Sequence, residues 1–422
     1  MVRKINEKEM GFLIEEFTEK TYQTKNELKY RIQAPDSIQD VWPQIKEYRY
    51  SRGVKTALKD QKDNYFWYYL PRSTKAKLNY IDKIAAFDLF QNIKSSDKKT
   101  VLLDALIDEG FSSSVIEGAF STKKIAKEMY QKKIAPKNKS EKMILNNINA
   151  MDYILENLSY PLNEEMLLNI YRILTENTLE EGEQVDKYRD SQVYVIDPNS
   201  TQAAYVPPPH TQVQALMDSL MEFISSPDDL HPVVKACIIH FYFVYIHPFF
   251  DGNGRTARAI SYMYLLQKGY DFFKFFSVSS VVGQQRSKYY KALKDTEDFD
   301  SDLSYFISFY VEMIEKSIDQ TLDRAKRESG YQLLLTYLNK TGIILSKRHE
   351  KALKIYLKAD KNYTTIEEYS KKLKVVYETA RTDLNQLTDL GLFKKSQLGK
   401  QFIYTIISFD EIIERLSTPT VK

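Results

Sequence analysis

His247-Pro248-Phe249-Phe250-Asp251-Gly252-Asn253-Gly254-Arg255-Thr256-Ala257-Arg258 gathers a proton acceptor, a carboxylate, a glycine-flanked turn and two arginines in one short run. Residues 233–246, just before it, are apolar on nearly every helical face (Val233, Ile238, Phe241, Val244, Ile246), which marks a buried central helix. After it, Ala257, Ile260, Met263, Tyr264 and Leu266 repeat at helical spacing over residues 255–267. A Gly-x-Gly turn opening such a helix aims several backbone N–H groups at one point, where the helix dipole also favours an anion. A Cβ at either glycine would obstruct a phosphate. Arg255 and Arg258 stand one turn apart, so both are expected on the same face. Cations there oppose the dipole, and a polyphosphate matched to the arginine forks removes the conflict. Asp251 can give one carboxylate to Mg²⁺, whose remaining ligands would be phosphates and water. His247, with an ordinary pKa, suits acceptance of a hydroxyl proton near neutral pH.

The pattern H-x-F-x-D-G-N-G-R-x-x-R resembles the signature of the Fic family, with every fixed position filled. At equal residue frequencies, chance would produce such a match on the order of 10⁻⁸ times in a chain this long. The resemblance implies a nucleotidyltransferase that moves AMP from ATP to a Ser, Thr or Tyr hydroxyl, with Mg²⁺ as cofactor. It assigns His247 as base, Asp251 as metal ligand and Gly252, Asn253 and Gly254 as phosphate cradle. Thr256 and Ala257 are carried over as nucleotide-binding positions, and Arg255 and Arg258 as ligands of the β- and γ-phosphates. Phe249 is read as a core anchor. Tyr290 is either an adenine contact or a packing residue. In Doc-type kinases a lysine replaces the residue at Gly254, so glycine favours AMP transfer.

A second motif, Ser112-Ser113-Ser114-Val115-Ile116-Glu117-Gly118, is similar to the family's inhibitory pattern, with Ser113, Glu117 and Gly118 in the fixed places. The resemblance implies that Glu117 neutralises Arg258 and takes the space of the γ-phosphate. In some relatives the equivalent glutamate also positions a water that removes AMP, so de-AMPylation is a second implied activity.

The fold expected is mainly α: a Fic-type helical domain with a β-hairpin flap, plus a C-terminal winged-helix domain. Residues 1–97 read as a helical lead-in packing on the middle, 98–329 as the Fic domain and 330–422 as the winged helix-turn-helix. Within the lead-in, residues 76–93 carry a helical pattern. Asn163 is the expected N-cap of a helix over 164–175. Two β-prone pieces around Asp197-Pro198-Asn199-Ser200 make a hairpin at about 191–206. In the family such a flap registers the target protein by strand addition. The tail carries sixteen Lys and Arg against ten Asp and Glu, about +6. Its third helix bears Glu378, Arg381, Asp383 and Asp389, a mixed set for a groove reader, so DNA and a docking protein both stay open as partners. A nucleotide-sensing DNA-binding regulator is therefore the competing function.

Composition agrees with a globular chain: 422 residues, 43% hydrophobic, 28% charged and net charge +3. The start, Met1-Val2-Arg3-Lys4, lacks the apolar run of a signal peptide, and residues 233–250, the best membrane candidate, carry Lys235, His240 and His247. One cysteine, Cys237, excludes an intrachain disulfide. The expected location is cytoplasmic.

Overall fold

The computed structural model describes residues 7–31, 38–86, 95–196, 203–359, 361–399, 401–408, 411–412 and 414. They divide into two compact units, Met1–Ile318 and Asp319–Lys422. The first begins with α1 (Glu7–Ile14), which runs on into a π-helical segment, Glu15–Lys20, then α2 (Lys25–Lys29) and α3 (Ile38–Ser51). An antiparallel hairpin of β1 (Val54–Lys59) and β2 (Tyr65–Tyr68) leads to α4 (Arg72–Ala86). The part of the expected 76–93 helix beyond Ala86 lies outside the described residues.

The helical body follows: α5 (Ser95–Ile116), α6 (Lys123–Lys132), α7 (Lys139–Glu156) and α8 (Glu164–Thr175). Asn163 caps α8, its side chain accepting the Met166 N–H at 2.9 Å, so this helix starts where its cap residue dictates. The short strands β3 (Val195–Ile196) and β4 (Ala203–Tyr205) pair antiparallel, with Val195 opposite Tyr205. The turn expected at residues 197–200 lies outside the described residues. Next come α9 (His210–Ser225), α10 (Pro232–Ile246) and α11 (Asn253–Gln267). After a 3-10 turn at Asp271–Phe275 the chain forms α12 (Val278–Gln284) and α13 (Arg286–Asp298). Helix α14 (Ser304–Thr341) then crosses the division between the units.

Helix α10 is the core of the first unit because no face of it is polar enough to meet water. Ile238, Ile239, Phe241, Phe243 and Ile246 are fully buried, each contributing roughly 1.5–3 kcal/mol of transfer free energy. Pro232 at its first turn and a His231 side chain accepting the Val233 N–H start it. The lead-in is fastened to this helix: Phe66 packs edge-on against Phe241, Tyr242 and Tyr245, and the Tyr242 hydroxyl donates to the Lys59 carbonyl at 2.9 Å. The β1–β2 hairpin therefore packs on α10 within the first unit. Among the described residues no helix is long and apolar enough to cross a membrane.

The second unit holds α15 (Lys347–Lys358), β5 (Tyr363–Thr364), α16 (Ile366–Leu373), α17 (Tyr377–Asp389), β6 (Phe393–Leu398) and β7 (Gln401–Ile406), with an antiparallel sheet in the order β5-β7-β6. Leu353, Tyr369, Leu384, Leu387 and Tyr404 form its core. Asp383 is turned into that core: Arg348 donates to both its oxygens at 2.6 and 2.7 Å, and the Tyr369 hydroxyl donates at 3.2 Å. It is thus a packing key, and the mixed charge expected on the outward face of α17 loses one of its members.

Candidate active site

Two buried helices, α10 and α11, are joined by residues 247–252, and the chemistry sits in that join. His247 ends α10 in the left-handed region (φ 53°, ψ 59°), its N–H still bonded to the Phe243 carbonyl at 3.0 Å. A non-glycine residue there carries strain of order 1–3 kcal/mol, which the surrounding structure must impose. Phe249 supplies part of that constraint. It is fully buried and stacks on Tyr171 with centroids 3.5 Å apart and planes 6° from parallel. Asn253 supplies another part: its amide oxygen accepts the Phe249 N–H at 3.0 Å and its amide nitrogen donates to the Phe249 carbonyl at 2.8 Å. Asn253 is therefore a positioning residue for the loop.

The His247 ring faces its carbonyl neighbours with one nitrogen: Nδ1 lies 3.3 Å from the Val244 carbonyl, which fixes Nδ1 as donor and leaves Nε2 as acceptor. Burial pulls the imidazole pKa down to about 4, against the Val244 hydrogen bond, which raises it. The ordinary pKa expected from sequence is thus corrected, because the half-buried ring lacks the water that would stabilise its cation.

Gly252 has φ +87°, and a Cβ on it would stand 2.8 Å from Thr175 Cγ2. At Gly254 a Cβ would meet the Glu117 carboxylate, with Cδ at 2.9 Å, and Arg258 Nη1 at 3.3 Å. The first turn of α11 therefore already receives an anion, supplied by the chain itself. Arg258, buried, donates from Nε to Ser113 Oγ at 2.8 Å, and from Nη2 to the Ser113 carbonyl at 2.9 Å and to Glu117 Oε1 at 2.7 Å. Its Nη1 is buried with no hydrogen-bond partner among the described residues and lies 3.3 Å from the Cβ position of Gly254. Gly118 follows with φ +94°, which turns the chain away from α5 just after Glu117.

Residues 161–265 match the Fic/DOC family. The chain carries a Fic domain. A protein adenylyltransferase Fic from Nematostella vectensis is 29% identical over 234 residues, 53% of this chain and 50% of that protein. Another from Drosophila willistoni is 32% identical over 184 residues, 41% of this chain and 33% of that one. The chain thus spans about half, or a third, of the length of these relatives. A Fic family protein from Desulfovibrio desulfuricans G20 shares the fold, with TM-score 0.50 and 17% identity over 79% of this chain and 95% of that one.

Two expectations for the Fic motif change on contact with the structure. Arg255 and Arg258 do not share a face: Arg255 is fully buried and donates to the Leu174 carbonyl at 3.2 Å and to Asp251 Oδ2 at 2.9 Å. As a first-turn residue it folds back over the loop and clamps Asp251. Thr256 and Ala257 are walled off, with no exposure, and the Thr256 N–H and hydroxyl both donate to the Gly252 carbonyl at 2.9 Å. They stiffen the helix start and do not line the cup. Tyr290 is 41% exposed on α13 with the Arg286 guanidinium 5.6 Å from its ring, and the Glu117 charge is among the influences that raise its pKa, after burial.

Asp251 remains half-exposed, its Oδ1 accepting the Gly252 N–H at 2.6 Å and its Oδ2 held by Arg255. Each oxygen keeps a lone pair, so one carboxylate at the rim of an anion cup fits a Mg²⁺ whose other ligands come from phosphate and water. Among the described residues no cluster of three or more His, Cys, Asp or Glu competes for a metal.

Arg189, just before the hairpin, is 2% exposed and donates to the carbonyls of His247 at 2.8 Å, Ser191 at 2.9 Å and Pro208, while its own N–H donates to the Pro248 carbonyl at 2.8 Å. One guanidinium so ties the catalytic loop to the base of the hairpin. His240 is fully buried with Nε2 2.9 Å from the Tyr289 hydroxyl. Burial, reinforced by Arg258, holds it neutral. Sequence spacing signals neither contact, since both depend on helices distant in the chain.

Proposed function

We propose that this chain is a protein adenylyltransferase, restrained by its own Glu117. The observation that carries the reading is the Glu117 carboxylate lying against Gly254 and Arg258, an internal anion in the place where the sequence motif calls for a polyphosphate. A target hydroxyl would give its proton to His247 Nε2 as its oxygen bonds to the α-phosphorus of ATP. The bond from that phosphorus to the bridging oxygen would break, and pyrophosphate would leave. Asp251 would hold Mg²⁺, which supplies charge neutralisation on the phosphates. The backbone of 252–254 and Arg258 Nη1 would receive phosphate oxygens, so catalysis is mainly positioning and electrostatic stabilisation. With Glu117 in place Arg258 is neutralised, and the ATP pose needed for in-line attack is denied; AMP removal assisted by Glu117 is part of the same reading.

The target is a protein, aligned by strand addition along β3 and β4, whose base Arg189 connects to His247. The C-terminal unit, read as a winged helix-turn-helix, is assigned to docking a partner. Its α17 face pairs Arg381 with Glu378 at 3.8 Å, which leaves little unpaired positive charge for DNA. The lone, buried Cys237 suits a reducing, cytoplasmic setting.

Labelled ATP with Mg²⁺ tests the proposal on wild type, His247→Ala and Glu117→Gly in the presence of lysate. The expected result is covalent label that rises with Glu117→Gly and is absent with His247→Ala. No label with Glu117→Gly, beside tight sequence-specific DNA binding, would replace the transferase with a nucleotide-sensing regulator.

A further inference from the structure

We propose that Glu109 is the positioning residue that seats the end of α5, and hence Glu117, in the phosphate cup, by locking α5 to the start of α12; this rests on the transferase reading above. Glu109 and Ser113 of α5 and Glu117, the residue just after it, recur every four residues, so they continue one stripe over about 12 Å of the helix axis. The last two meet Arg258. The first is 7% exposed and faces a different element. Its Oε2 accepts the Ser277 hydroxyl at 2.8 Å and the Ser279 N–H at 3.0 Å, and its Oε1 accepts the Ser279 hydroxyl. Hydrogen bonds to an ionised acceptor are the stronger kind, and here three converge on one carboxylate.

The receiving end is itself fixed. Ser277 Oγ accepts the Ser280 N–H at 3.0 Å, and the Ser317 hydroxyl of α14 donates to the Ser277 carbonyl at 2.9 Å. On its other side α5 touches α7 backbone to backbone: a Cβ at Gly110 would stand 2.7 Å from the Ile148 nitrogen. Adjacent residues 109 and 110 thus pin α5 between α12 and α7. Two turns onward the helix ends at Ile116 and Glu117 follows, its one hydrogen bond to α11 among the described contacts being that to Arg258. Setting the axial position of α5 at Glu109 therefore sets how well Glu117 reaches the cup. The same carboxylate links the brake to α12, which runs straight into α13 and Tyr290.

The experiment uses the full chain as wild type, Glu109→Ala, Ser279→Ala, Glu117→Gly and the Glu109→Ala/Glu117→Gly double variant. Hydrogen exchange is followed at residues 113–118 and at Glu164–Thr175 of α8, with self-labelling by labelled ATP and Mg²⁺ in parallel. Expected are faster exchange at 113–118 in Glu109→Ala and Ser279→Ala with α8 unchanged, and label raised roughly 5- to 150-fold over wild type. No further rise is expected in the double variant over Glu117→Gly, because the effect passes through Glu117. Unchanged exchange at 113–118 in both single variants overturns the proposal, and so does an equal loss of label in both backgrounds. If Glu117→Gly itself gives no label, the transferase reading falls while the exchange result still decides the role of Glu109.

Discussion

Glu117 and Gly254 are in contact: the carboxylate of one occupies the space that a side chain on the other would fill, with Cδ 2.9 Å from the Cβ position. Glycine at this place therefore does two things. It leaves room for an anion at the first turn of α11, and it lets an internal carboxylate be that anion. The same geometry separates function from folding, since the backbone at Gly254 is not in the left-handed region that favours glycine.

Gly254→Ala should consequently fold well and fail to work. Alanine is preferred to glycine in a helix by roughly 0.8–1 kcal/mol, so the denaturation midpoint is expected to hold or rise, above all with Glu117→Gly, where no carboxylate is crowded. Nucleotide affinity in that double variant is expected to fall at least about ten-fold below Glu117→Gly alone, an upper-end steric cost of 1–3 kcal/mol. Calorimetric titration with ATP reads the affinity; unaltered binding would mean phosphate does not approach Gly254.

Arg189→Ala should impair catalysis more than stability suggests. Its guanidinium holds the carbonyls of His247, Ser191 and Pro208, so its loss frees the loop that aims Nε2. A misplacement near 1 Å costs on the order of 100-fold in rate. Measured in the Glu117→Gly background, kcat is expected to drop by that order while ATP affinity changes little. A pure rise in KM for ATP would contradict this.

Much of this site was legible because it is local. The offsets from His247 to Arg258 fix a loop, a helix start and an anion cup by covalent spacing alone, and Asn163 announced the start of α8 in the same way. Glu117 was also visible as a motif, although its reach to Arg258 was an inference from family resemblance. What stayed hidden required distant pieces. Arg255 looked set to share a face with Arg258 until the Leu174 carbonyl of α8 was seen to receive it. Asp383 looked like a surface charge because its partner Arg348 stands a whole helix earlier. The depressed His247 pKa belongs to burial, which no single stretch of sequence reports.

That pKa gives a pH prediction. With the imidazole at about 4 in the free protein, the ring is neutral from pH 8 down to about 5, so its Cε1 proton resonance should titrate near pH 4 and not near 6.5. Below the unfolded-state value of about 6.5 the unfolded chain binds a proton that the folded one refuses, so this group erodes stability as pH falls toward 4. ATP brings negative charge beside the ring and should move the midpoint upward. A free-protein midpoint near 6.5 would show the ring to be solvated.

Asp302 behaves in the opposite sense. It is 3% exposed, accepts the Tyr22 hydroxyl at 2.6 Å, and burial raises its carboxyl to about 6 in spite of help from Ser304 and Arg49. The folded pKa lies above the unfolded value of about 3.9, so the folded state holds the extra proton between pH 4 and 6. Stability from this group is full below about pH 4 and is lost as pH rises through 6, by at most about 3 kcal/mol. Asp302→Asn keeps an acceptor for Tyr22 and an amide in place of the charge. Urea unfolding at pH 5 and pH 7.5 should show a smaller difference for the variant than for wild type, with the variant gaining relative to wild type at the higher pH. An identical pH dependence in the two proteins would place the proton elsewhere.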